Sequence, residues 1–84
     1  MEIMRVVDDL VCTRRVEGMQ SASLRVLKGQ TGNLLVATDP VGVPVGKWVF
    51  ITSGSAARWA MPDPAMITDL TIGGIIDNWE EQAV

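Results

Sequence analysis

The chain contains no histidine and one cysteine, Cys12, among its 84 residues. Without histidine there is no Ser-His-Asp or Cys-His pair to activate a nucleophile. A zinc site would have to be built from Cys12 and carboxylates, which is a poor ligand set. A lone cysteine forms no intramolecular disulfide, and a free thiol fits a reducing, cytoplasmic setting. The only lysines are Lys28 and Lys47, so a Ser-Lys arrangement has little to draw on. No apolar run reaches the roughly 20 residues of a membrane helix. The opening Met1-Glu2-Ile3-Met4-Arg5 begins with an acid and is not expected to be a signal peptide. Positive charge is also scarce: Lys and Arg number 7 against 10 Asp and Glu, a net charge of −3. That balance argues against nucleic acid, whose binding rests on a basic face. The expectations are no catalytic residue, no metal, no cofactor, no nucleic acid and no membrane.

What the chain does have is apolar surface, 48% of its residues. Its length suits a single domain, residues 1–84, with a thin core. Domains of this size usually need a disulfide, a metal or a partner copy to hold them. The first two are lacking, so self-assembly is expected.

Period-two patterning dominates the chain. Residues 3–14 read as a long strand. Met4, Val6, Leu10 and Cys12 fall on one face, and Ile3, Val7 and Val11 on the other, with a bulge or bend expected at Asp8-Asp9. A strand apolar on both sides is buried on both sides. Residues 14–21 are loop. Residues 23–28 and 34–38 form a hairpin around Gly29-Gln30-Thr31-Gly32-Asn33. The connection Asp39-Pro40-Val41-Gly42-Val43-Pro44-Val45-Gly46 is punctuated by turn residues, and its valines are expected to pack. A strand over 47–52 follows. Then Ser53-Gly54-Ser55-Ala56-Ala57-Arg58-Trp59 leaves the strand and makes one helical turn, with Ser53 or Ser55 as its N-cap. A run of such small residues implies that other backbone comes close. After a proline-containing loop, residues 70–79 form the last strand. Gly73-Gly74 marks a bulge or close approach within it, and residues 80–84 are an acidic tail. Five short strands close into a barrel to hide their edges, with the helical turn between strands four and five.

The remaining chemical signals have structural readings. Asp8-Asp9 and Glu80-Glu81 are solvated acids, since neighbours on a strand point to opposite faces. Cys12 is a small core hydrophobe. Gly42-x-x-x-Gly46-Lys47 lacks the first glycine and the Ser/Thr of a phosphate loop, and a strand follows it rather than a helix. The N-terminus of the turn offers amides for an anion, but Ser55 as a cap accounts for it. Trp48, Trp59 and Trp79, with Phe50, could stack bases in a small barrel. The missing basic groove favours core or subunit-contact roles instead.

Stretches in order along the chain resemble the EutN/CcmL family of pentameric vertex proteins of bacterial microcompartment shells. They are the first strand ending in Cys12-Thr13, Asp39 through Val49, Gly54-Ser55-Ala56-Ala57-Arg58, and Leu70-Thr71-Ile72-Gly73-Gly74-Ile75-Ile76-Asp77. Within that family the chain looks like the α-type carboxysomal branch and its B paralogue, with Gly54 and Gly73 where the A form carries Ser and Ile. The resemblance implies an all-β, five-stranded OB-like barrel with one short helical turn. It implies a homopentamer at the vertices of an icosahedral carboxysome shell of hexameric proteins, limiting leakage of carbon dioxide from enclosed rubisco and carbonic anhydrase. By that resemblance Ser53, Gly54 and Ser55 are candidates for a central pore. Ala56, Ala57, Arg58, Ile75, Ile76 and Asp77 are candidates for the helical turn and subunit interface, with Arg58 and Asp77 as an ion pair within or across subunits. The alternative is an OB-like module binding single-stranded nucleic acid.

Overall fold

Alternation settles which side chains fill the interior. In the strand Trp48–Ser53, Val49 and Ile51 are buried while Trp48, Phe50 and Thr52 are only half-covered. Met4 and Val6 play the same part in Glu2–Leu10. The computed structural model describes residues 1–12, 14–19, 22–63 and 65–77. Its elements are β1 (Glu2–Leu10), a 3-10 turn (Glu17–Met19), β2 (Leu24–Gly29), β3 (Leu34–Thr38), β4 (Trp48–Ser53), α1 (Ser55–Trp59) and β5 (Leu70–Ile75).

The strands close into a barrel in the order β1-β2-β3-β5-β4. This is the expected all-β architecture, with the helical turn between the fourth and fifth strands. Neighbours run antiparallel except β3 and β5, which meet in parallel at Thr38 and Thr71. Met4, Val6, Leu27, Ala37, Val43, Val49, Ile51 and Ile72 form the core. A satellite cluster of Ala22, Met61 and Met66 lies outside the barrel. No helix among the described residues is long and apolar enough to cross a membrane.

β1 ends at Leu10, short of the expected residue 14, and its bulge falls one residue early. Its register against β2 slips between Val6 and Asp8, which leaves Val7 as the extra residue. Beyond β1, Val11 and Cys12 are exposed, which corrects the reading of Cys12 as a core residue. The slip breaks the alternation that placed Cys12 on the same face as Met4. The glycine step in β5 is a bulge as expected. Phe50 pairs with Gly74 and Ile51 with Ile72, so Gly73 is skipped. The phenyl ring of Phe50 lies over both glycines, and a Cβ on Gly74 would stand 2.7 Å from it.

The connection from β3 to β4 is held by a carboxylate. The Asp39 side chain is fully buried. Its Oδ1 accepts from the amides of Val41 and Gly42 at 2.9 Å, and its Oδ2 from Val43 at 2.8 Å. Arg25 Nε donates to the same Oδ2 at 3.0 Å, and Arg25 also reaches the exposed Asp9 at 2.6 Å. A buried charge is tolerable when donors surround it in this way. The turn it organises sends Val43 into the core and leaves Val41 and Val45 exposed, so only one of the loop's valines packs. Amides and carbonyls then stitch the loop to the β1 bulge, Gly46 N–H to Val6 O at 2.8 Å and Val6 N–H to Lys47 O at 3.0 Å.

Asp39→Ala should leave three amides and a guanidinium without their acceptor and cost about 3–5 kcal/mol in urea unfolding at neutral pH. Asp39→Asn, which keeps an acceptor oxygen, should cost clearly less. Equal losses from the two variants would contradict this role for the carboxylate.

Candidate functional site

The stretch 53–59 sits where β4 leaves the barrel. Ser53 is the last residue of β4, and its pairing with Leu70 is the last rung of the β4–β5 ladder. Gly54 then takes φ 63° and ψ −139° and is the N-cap of α1, with no side-chain cap. The expected serine cap is therefore corrected. Ser53 is still in the strand and Ser55 is already helical, and a residue with positive φ is needed between them. The amide of Gly54 donates to Asp69 O at 3.1 Å, and its carbonyl receives Ala57 N–H at 3.1 Å. Those bonds fix the turn without a side chain.

The helical turn is pinned to the barrel by threonines. Ala57 is its only buried residue. Its carbonyl accepts from Thr71 Oγ1 at 2.6 Å. With its one proton used there, Thr71 accepts from Thr38 Oγ1, 2.9 Å away. Thr68 Oγ1 lies 3.1 Å from the Thr38 hydroxyl and donates to Leu70 O at 2.9 Å. Thr38 and Thr71 face away from the core, under α1 and the loop that precedes β5. Periodicity could not reveal this, because a buried threonine in a strand reads as an ordinary polar position. Asp39-Pro40 with a glycine two residues later is a turn signal, and it could have pointed to the carboxylate as a turn former.

Beside α1 lies an open groove of about 690 Å³, lined by Val36, Thr38, Leu24, Ile67, Ser55 and Arg58 among others. Val36 is 43% and Ile67 55% exposed. Ile67 is held there by its backbone N–H, which donates to Gly18 O at 2.9 Å. At the end of α1, Trp59 is 76% exposed, and Leu34 at the far end of β3 is 62% exposed. Exposed apolar residues thus lie on β3 and around α1 and the groove, beside those of the β3–β4 loop. This shifts the emphasis from β1, where Ile3 and Val7 are already half-covered within the chain.

Of the candidate pore residues, Ser53, Gly54 and Ser55 are all exposed. A Cβ on Gly54 would meet nothing within 4 Å. Within one chain, then, the small residues there are not explained by crowding. Ala56, Arg58 and Asp77 are exposed, and Ile75 and Ile76 are at most half-covered. Ala57 is 0% exposed in its own chain. Among the described residues the ion pairs are those of Arg25 with Asp9 and Asp39; Arg58 and Asp77 are not joined within one chain. Thr13, Trp79 and the acidic tail from residue 80 lie outside the described residues.

A small closed barrel with an open apolar groove and an exposed tryptophan on one side has a surface suited to packing against another protein. The EutN/CcmL family model, described as ethanolamine utilisation protein EutN/carboxysome, matches residues 1–77. The chain belongs to the EutN/CcmL family of microcompartment shell vertex proteins. The carboxysome shell vertex protein CsoS4B of Halothiobacillus neapolitanus is 58% identical over 79 residues, covering 94% of this chain and 98% of that one. The solved structure of CsoS4B from that organism matches with a TM-score of 0.88 at 58% identity, over 92% of this chain and 99% of that one. A pentameric shell protein from the RMM microcompartment matches with a TM-score of 0.85 at 28% identity, over 100% of this chain and 99% of that one.

The backbone at position 54 gives a direct test. Gly54→Ala has ample room yet must hold φ 63°, so it should destabilise the chain by about 1–3 kcal/mol in chemical unfolding. A variant as stable as the parent would show that position 54 does not hold this conformation.

Proposed function

We propose that the chain is a structural vertex protein of a carboxysome shell, with residues 1–84 acting as one vertex domain. Five copies surround an axis and close the corner left between hexameric shell proteins. The near full-length match to CsoS4B at 58% identity carries this reading. The likeness to a pentameric shell protein supports the five-fold ring. A ring of this kind repeats one heterologous contact around its axis. It would cover the groove beside α1, which one chain leaves open.

In this reading Ser53, Gly54 and Ser55 rim the axis, where copies of the same backbone converge. That supplies the crowding absent from a single chain. A rim of glycine and serine carries no charge and so gives no charge selectivity of its own. Ala56, Arg58, Ile75, Ile76 and Asp77 lie toward the neighbour. Arg58 and Asp77, unjoined within one chain, form their ion pair between copies. Ala57 acts indirectly: its side chain is buried at home and its carbonyl, bonded to Thr71 of the same chain, holds the helical turn in place. At the vertices the protein limits escape of carbon dioxide around enclosed rubisco and carbonic anhydrase.

Two measurements test the reading. The purified protein should give a native mass of five times the 9.1 kDa chain. Cells lacking it should assemble carboxysomes but grow in air only when carbon dioxide is raised. A monomeric mass, or unimpaired growth in ordinary air, would contradict it.

A further inference from the structure

On the outer face of the barrel, two positive charges meet across the β1–β2 ladder. Arg5 and Lys28 stand directly opposite each other in the β1–β2 ladder, and both are exposed. Met4 and Val6 point into the core, so Arg5 points out. Like charges at directly opposed positions repel. No carboxylate of the described residues relieves them, since the ion pairs there belong to Arg25. Among the described residues, Arg5 donates to a carbonyl, that of Gly46 at 3.3 Å. The row continues outward in both directions, to Trp48 on β4 and to the exposed Leu34 on β3. A carboxylate brought against these two cations by another molecule would relieve their mutual repulsion.

The chain itself offers one on another face. Asp69 is exposed and lines the groove beside α1, and it too lacks an ion pair among the described residues. In the barrel order β5 lies between β3 and β4, while β1 lies between β4 and β2. Arg5 on β1 and Lys28 on β2 are therefore on strands that do not pair with β5. A ring needs two different faces on every copy, one for each neighbour. We propose that Arg5 and Lys28 of one copy face Asp69 of the next, with Trp48 and Leu34 packing at the edges of the apolar groove. This rests on the ring assembly proposed above. It adds which faces meet and which charges set their register.

The test is a charge swap read by native mass spectrometry and by dilution at low ionic strength. Arg5→Glu with Lys28→Glu should raise the concentration at half dissociation about tenfold or more, and adding Asp69→Lys in the same chain should reverse most of that rise. Far-UV circular dichroism shows whether each variant is folded. If the double reversal does not fold, Arg5→Gln with Lys28→Gln serves instead and should dissociate more readily than the parent, with a weaker dependence on salt. A parent protein that is not pentameric would defeat the ring reading itself. A pentameric parent whose folded charge variants assemble as well as it does would overturn this inference alone. So would dissociation that Asp69→Lys fails to reverse.

Discussion

A barrel of five short strands has room for very few side chains, and that limit governs the rest of the molecule. Met4, Val6, Leu27, Ala37, Val43, Val49, Ile51 and Ile72 fill it. Every further apolar residue must find cover outside. Some find it under local loops, as Met61 and Met66 do. Leu34, Val36, Ile67 and Trp59 do not. A domain this small cannot stabilise itself by enlarging its core, and it has no disulfide or metal cluster among the described residues. In the proposed ring, burial against further copies would use the surface that the barrel cannot internalise.

Polar groups make the small barrel rigid enough to present that surface. The Asp39 carboxylate turns a loop rich in glycine and proline into a fixed plug, with Val43 as its tip. The Thr38–Thr71 pair ties α1 to β3 and β5 through the carbonyl of Ala57. Both devices are buried, and each donor or acceptor in them has a partner, which is the condition for such networks to stabilise. Asp39 follows directly on Thr38, so the two devices adjoin at the parallel junction of β3 and β5. The groove opens beside that junction.

Much of the fold was legible in the sequence because strands here obey simple rules. β3 falls on the expected residues, and β2, β4 and β5 begin within one residue of expectation, since alternation and turn residues bound them. The failures have common physical causes. Cys12 was misplaced because a one-residue slip at Val7 inverts the faces of everything after it. The serine cap was misassigned because Gly54 takes its conformation from a long-range bond to Asp69, which no local pattern encodes. The parallel meeting of β3 and β5, the Arg25–Asp39 pair and the threonine chain are likewise contacts between distant residues. For the candidate site, the stretch 53–59 was visible from its composition. The groove beside it was not, since it is assembled from β2, β3, β5, α1 and the loop between the last two.

In the proposed ring, one copy's open groove is another copy's packing surface. A cryo-electron microscopy structure of the assembled protein tests this most directly. It should show five-fold symmetry, with Val36 and Ile67 of each copy covered by the next and Ser53–Ser55 of all copies around the axis. A ring that leaves the groove open to solvent, or copies related by a two-fold axis instead, would contradict it.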